Sequence, residues 1–377
     1  MNFTALDEFM NKMPERGIPG CELVVTKDGE IVYRTGVGYS DQAKTKPVSN
    51  KDLYWIFSAT KVITCIAAMR LVEEGKIKLD DPVSKYLPEF ANVKVKQEDG
   101  SLAPAKNTMT LLHLFTMTGG LTYDLKDPAL VRARTENAST LDVVRTMADM
   151  PLAFEPGTHF QYSLCHDVLA GVVEVVTGMR FSEYLDQLLF KPLGIKDMGF
   201  RPSDEQKSRF VSMYTFDAGR MKSTEIPLRN QYILTPNYDS GGAGLFASVD
   251  EYIKIISVIA NGGKTKDGYC ILRPETIEKM TKFYLCDAAH SDFIEQHKRL
   301  YGYSWGLCGR VHIDNTVSLA RSSVGEFGWD GAANAFVLID PFKHVALYFG
   351  TEVLGCGYGY RVIHPAIRDL VFEALES

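Results

Sequence analysis

Residues 55–75 read "WIFSATKVITCIAAMRLVEEG" and hold Ser58 and Lys61 three positions apart. A serine hydroxyl is a poor nucleophile until a base takes its proton. A lysine becomes that base only when desolvation lowers its pKa. On a helix, positions three apart share a face, so this spacing can bring the two side chains together. The apolar flanks, "LYWIF" and "VITCIAA", favour a partly buried pair. The plainer reading makes Ser58 a helix N-cap and Lys61 a solvated residue of the first turn. Cation placement argues against it, because a lysine there faces the positive end of the helix dipole.

Two distant segments carry further candidates. Tyr162 stands in "FQYSLCHD", followed by Leu164, and "FGWDGAAN" contains Trp329, Asp330, Gly331 and Ala332. A tyrosine beside a lysine can shuttle a proton, and a nearby cation would lower its pKa. Gly331 would let a substrate approach a strand backbone. Residues 119–124, "GGLTYD", read as a rim loop in which Tyr123 could stack on an acyl group. Residues 236–244, "PNYDSGGAG", form a second Gly-rich loop. Neither has the GxxxxGK[ST] pattern of a phosphate cradle. The chain also lacks G-x-S-x-G, which excludes the nucleophile elbow of an α/β-hydrolase.

Composition narrows the class. The chain has 377 residues, 45 % hydrophobic and 23 % charged, with a net charge of −6. This is ordinary globular composition, long enough for one large domain or two packed subdomains. With no Lys/Arg run, neither a nucleic-acid groove nor a polybasic membrane patch is expected. No apolar run reaches the roughly 18 residues of a membrane span. The N-terminus lacks the basic and apolar regions of a signal peptide, so a cytoplasmic location is expected. The seven cysteines (21, 65, 165, 270, 286, 308 and 356) include no CxxC pair. They read as buried free thiols in a reducing compartment. Without a His/Cys cluster, neither metal nor cofactor is expected.

The elements that must position these residues follow from periodicity. Residues 3–14 read as an amphipathic helix, and "GCELVVTKDGEIVYRTGVGY" as a β-hairpin. Val62, Ile63, Ile66, Ala67, Leu71 and Val72 recur at helical spacing over 59–74, and Gly75 ends the run. The middle of the chain is mostly helical. After about residue 300, "YGYSWGLCGRV", "ANAFVLIDP" and "HVALYFGTE" read as strands, and "HPAIRDLVFEALES" as a closing helix. The simplest assembly is an α/β (α+β) fold. Its antiparallel sheet comes from N- and C-terminal strands flanked by terminal helices, with a mostly helical subdomain inserted. Residues 1–85 and 295–377 would form the sheet subdomain and 86–294 the helical one, with the active site between them.

Five segments in order carry a resemblance across residues 15–350: "SATKVITCIAAMRLVEEGKIKLDDPVSKYLPEF", "LLHLFTMTGGL", "FEPGTHFQYSLCHDVLAGVVEVVTG", "GGAGLFASVDEYIKIISVIANGG" and "FGWDGAANAFVLIDP". Together they resemble the serine β-lactamase-related hydrolases. The class C-like branch is nearest, with its family VIII carboxylesterases and D-amino-acid peptidases. The resemblance implies a β-lactamase/transpeptidase-like fold. It makes Ser58 the acylated nucleophile, Lys61 its base and Tyr162 a proton shuttle, with the Ser58 and Ala332 N–H groups as the oxyanion hole. It implies a small ester or amide as partner and does not fix the oligomeric state.

Two departures from the family pattern bear on substrate. Leu164 replaces an asparagine that could bind a substrate amide. Trp329-Asp330-Gly331 replaces Lys-Thr-Gly or His-x-Gly, and the carboxylesterase branch often has Trp-x-Gly there. An aspartate facing the cleft would repel anionic substrates. The expectation is therefore an esterase for neutral or cationic substrates. A D-amino-acid peptidase or weak β-lactamase, and a non-catalytic protein of the same fold, are the alternatives.

Overall fold

The computed structural model describes residues 1–135 and 137–377. Seven strands make the main sheet: β1 (Gly20–Lys27), β2 (Glu30–Gly38), β3 (Tyr303–Gly306), β4 (Gly309–His312), β5 (Phe327–Gly328), β6 (Phe336–Asp340) and β7 (Val345–Thr351). Their spatial order is β3-β4-β5-β6-β7-β1-β2, antiparallel throughout. The two ends of the chain meet where β1 pairs with β7, Leu23 opposite Phe349. The hairpin turn is Asp28-Gly29, both at positive φ (54° and 81°), the geometry that matches strand twist. At the other hairpin the Asp340 carboxylate accepts from the Phe342 and Lys343 N–H groups and fixes the turn.

Both faces of the sheet are covered, so its central strands are almost continuously apolar. Cys21, Leu23, Val25, Leu338, Leu347 and Phe349 point to one face. There they pack on the terminal helices α1 (Thr4–Asn11) and α5 (His364–Glu376) through Leu6, Met10, Ile367 and Val371. Val24, Val337, Ile339, Ala346 and Tyr348 point to the other face. They meet the main core, which includes α2 (Thr60–Glu73), α3 (Cys165–Thr177) and α4 (Val249–Ala260). Each large apolar side chain so buried contributes about 1.5–3 kcal/mol.

α2 is buried at 11 of its 14 positions, which makes it the central helix rather than a surface one. It carries the residues of chemical interest. α4 lies inside the segment assigned above to the helical subdomain, yet it packs across β1 and β7, and Tyr252 stacks on Tyr348 at 4.3 Å. The middle of the chain also contains strands that periodicity did not reveal. Met213–Asp217 and Lys222–Ile226 form a hairpin that Val353–Leu354 joins in parallel. No helix among the described residues is long and apolar enough to cross a membrane. All seven cysteines are free thiols. Five are buried, but Cys270 is half-buried and Cys286 exposed, contrary to the expectation for the full set.

Candidate active site

Ser58 occupies a tight turn, Phe57–Ala59, that runs directly into α2. Phe57 adopts φ 45°, a left-handed conformation costly for a bulky residue and held only where packing demands it. Phe57 is buried against Trp55, Phe246 and Ala333. The N-cap positions of this turn and of α2 are Ile56 and Ala59, not Ser58, so the N-cap reading fails. Ser58 is 9 % exposed, buried but still reachable.

Lys61, one turn on, is 1 % exposed and not a solvated residue. Its Nζ donates to the Tyr123 hydroxyl (2.8 Å) and to the Gly242 carbonyl (2.8 Å), and lies 3.4 Å from Ser58 Oγ. A neutral amine has two N–H bonds and one lone pair. Two short bonds to Tyr123 and Gly242 use both N–H groups and leave the lone pair for the Ser58 proton. Burial lowers the Lys61 pKa to about 8, with the Asp167 carboxylate the first influence opposing it. The amine is therefore available as a base in mildly alkaline solution.

Tyr162 completes the cluster. Its hydroxyl accepts from the Trp329 indole N–H at 2.9 Å, and its ring lies 4.7 Å from Lys61 Nζ. Burial pushes its pKa up. Hydrogen bonds with Ser58 and Trp329 pull it down by less, and Asp330 and Asp167 add to the rise. The expectation of a cation-lowered phenol is thus corrected: Tyr162 keeps its proton at neutral pH and is poised to donate it.

The Trp329–Ala332 segment borders the cluster. A Cβ on Gly331 would sit 2.4 Å from the Ile56 carbonyl oxygen. The close approach that glycine permits is therefore to the protein's own backbone, not to substrate as expected. It seats Ala332 beside Ile56–Phe57, directly ahead of Ser58. The Ala332 N–H has no acceptor among the described residues.

Asp330 does not face the cleft. It is 6 % exposed and turned into a buried ionic group, with Arg299 at 2.8 Å, Arg310 at 3.2 Å and His364 at 3.6 Å. Burial alone would raise its pKa. Arg310, His364 and Arg299 outweigh that and hold it well below the usual carboxylate range. Its charge is cancelled where it stands, which removes the expected repulsion of anionic substrates. Leu164 is likewise a core residue, 3 % exposed, at the start of α3. Tyr123 is more than a stacking surface, since its hydroxyl holds Lys61.

Three contributors escaped the sequence reading. Asp167, in the first turn of α3, accepts from Tyr238 Oη (2.7 Å), Ser240 Oγ (2.6 Å) and the Gly242 N–H (3.2 Å). A Cβ at Gly242 would lie 2.3 Å from Asp167 Oδ2, so only glycine fits between that carboxylate and Lys61. The signal was an acidic residue in the first turn of a mostly apolar stretch, "CHDVLAGVV". Tyr232 sits 5.6 Å from Tyr123 and 6.1 Å from Phe57, ring to ring. With Ile233 and Ala332 it forms an apolar wall.

The Beta-lactamase family model matches residues 4–352. Esterase EstB from Burkholderia gladioli is 32 % identical over 97 % of this chain and 93 % of its own length. Lovastatin esterase from Penicillium rubens is 31 % identical over 68 % of this chain and 66 % of its own. The solved structure of EstCE1, described as a hydrolase with promiscuous acyltransferase activity, superposes with a TM-score of 0.80. Its identity is 24 %, over 97 % of each chain. Matches of that extent, on an antiparallel sheet with a serine–lysine pair at the start of its central helix, make the chain a member of the Beta-lactamase family and a serine hydrolase.

Proposed function

We propose that the protein is a carboxylesterase-like hydrolase of small neutral esters with apolar acyl groups, working through an acyl-Ser58 intermediate. The observation that carries this reading is the buried Lys61 amine, whose two short hydrogen bonds leave its lone pair for Ser58. Lys61 takes the Ser58 proton as Oγ attacks the ester carbonyl. The developing oxyanion is held by the Ser58 and Ala332 N–H groups, each worth about 3 kcal/mol in the transition state. Tyr162 gives its proton to the departing alkoxide and is reprotonated through Lys61. Water then attacks the acyl-enzyme, with the same groups in reverse, and releases the acid.

The preference for neutral esters rests on what lines the cleft. Tyr123, Tyr232, Ile233 and Ala332 are partly buried apolar groups packed beside the buried Phe57 that precedes Ser58, and they give its surroundings an apolar character. Arg299 is paired with Asp330, and Arg310 with Asp330 and Glu326, so neither offers a carboxylate a partner. The similarity to EstB and to lovastatin esterase supports ester substrates over amides.

Two measurements test the reading. Intact mass after fluorophosphonate treatment should show one adduct on the wild type and none on Ser58→Ala; an adduct of equal stoichiometry on the variant would refute the nucleophile. A p-nitrophenyl short-chain ester, a chromogenic cephalosporin and a D-alanyl amide, assayed side by side, should rank the ester first. Faster turnover of the D-alanyl amide would replace esterase by peptidase.

A further inference from the structure

The Ala332 N–H belongs to the same peptide group as the Gly331 carbonyl. A trans peptide is planar, and its C=O and N–H point in opposite directions. Whatever fixes the Gly331 carbonyl therefore fixes the direction of the Ala332 N–H. Two donors do so. The Asn334 N–H reaches the Gly331 oxygen at 2.9 Å, within the same turn. The second comes from the far end of the chain: the Tyr360 hydroxyl lies 2.8 Å from the Gly331 oxygen and 3.0 Å from the Ala332 oxygen.

Tyr360 is itself held. It stands in the π-helical turn Gly359–Ile363 that leads into α5, a wide form of turn often found at functional sites. The Arg299 guanidinium lies over its ring at 4.9 Å, and His364 packs edge-on at 5.3 Å. These two residues also bind Asp330, the neighbour of Gly331. Burial raises the Tyr360 pKa, so the hydroxyl remains a donor across the working range. The opposite edge of the peptide, the Ala332 N–H, has no acceptor among the described residues. A partly buried N–H without a partner is costly unless a ligand supplies one.

We propose that Tyr360 is a positioning residue of the oxyanion hole, whose hydroxyl clamps the Gly331 carbonyl and so aims the Ala332 N–H at the developing oxyanion. The proposal rests on the reading of Ser58 as nucleophile and Ala332 as oxyanion donor. A carbonyl that accepts a hydrogen bond also polarises its own peptide N–H and makes it a stronger donor. The ionic group around Asp330 thereby acquires a purpose besides stability, as the frame that holds Tyr360 and the 329–332 segment together.

Tyr360→Phe is the direct test, because it keeps the ring contacts with Arg299 and His364 and removes only the hydroxyl. Loss of a whole oxyanion donor lowers kcat by about 100- to 1000-fold, and loss of its aim should lower it by roughly tenfold. The KM for a p-nitrophenyl ester should stay within about twofold. Affinity for a phenylboronic acid, which mimics the tetrahedral intermediate, should fall by the same factor as kcat. A purely structural role would lower Tm and leave the boronate-to-substrate ratio unchanged. Tyr360→Leu serves as the second variant. Loss in Leu with wild-type kcat and boronate affinity in Phe would show that only the ring matters and overturn the proposal. Ser58→Ala, run in parallel, separates the two claims. An inactive Ser58→Ala beside an unimpaired Tyr360→Phe overturns the Tyr360 role alone, whereas an active Ser58→Ala overturns the underlying reading as well.

Discussion

Lys61 and Asp330 are both buried ionisable groups near Ser58, and their surroundings drive them to opposite ends. Lys61 has a phenol, a carbonyl and a serine as its neighbours, all neutral, with Asp167 further off. Its charge is poorly compensated, and burial lowers its pKa to about 8. Asp330 is as deeply buried but has Arg299, Arg310 and His364 around it. Its charge is compensated and its carboxyl is held far below the usual range. Burial is common to both, so the supply of counter-charge decides the outcome. One group is left able to change protonation state during a reaction, and the other is locked into a structural role.

The contrast can be broken most sharply at Lys61. Lys61→Met should lower kcat/KM for an ester by about 10⁴, the upper range for a lost general base, with no loss of stability. A large fall in the urea midpoint would instead make Lys61 structural. Asp330→Asn should act first on stability. It leaves Arg299 without its carboxylate and Arg310 with Glu326 alone, and should cost about 3 kcal/mol in urea unfolding. A cost near zero would mean that the cluster relaxes or takes up water.

The pH dependence sharpens the comparison further. The base form of Lys61 is the unprotonated one, so kcat/KM should rise with pH and level off above about 8. Asp167 raises the Lys61 pKa, so Asp167→Asn should move that midpoint to lower pH; an upward shift would contradict the assignment. The smallest effect concerns specificity. With its charge already cancelled, Asp330 should not select against anionic substrates. The ratio of turnover for a neutral ester and its carboxylate analogue should change by less than about twofold in Asp330→Asn. A change of tenfold or more would restore Asp330 to the cleft.

Much of the architecture was legible from local pattern. The Asp-Gly turn, the apolar runs at both ends and the helical period after Ser58 each rest on residues close in sequence, and the strands and α2 lie where those patterns put them. Other features were hidden for a shared reason. The parallel pairing of Val353–Leu354 with the 213–226 hairpin and the packing of α4 on the sheet join segments far apart in the chain, which no local period reports. Five of the seven cysteines are buried as their apolar neighbours suggested. Cys286 is exposed because the helix it precedes, Asp287–Gln296, buries only Ala289 and Phe293.

By itself the sequence determined the chemistry of the pair. Ser58 and Lys61 lie three positions apart where a tight turn enters α2, so their meeting follows from local spacing. It also determined the family, through five ordered segments spread over most of the chain. Tertiary structure alone decided the electrostatics. Tyr123 and Gly242 come from distant loops to orient the Lys61 amine, and Asp167 stands behind them. Arg299, Arg310 and His364 arrive from three other elements to turn Asp330 away from the cleft. A side chain's pKa and direction are set by whatever charges and dipoles lie within a few ångströms, and folding, rather than spacing along the chain, chooses those neighbours.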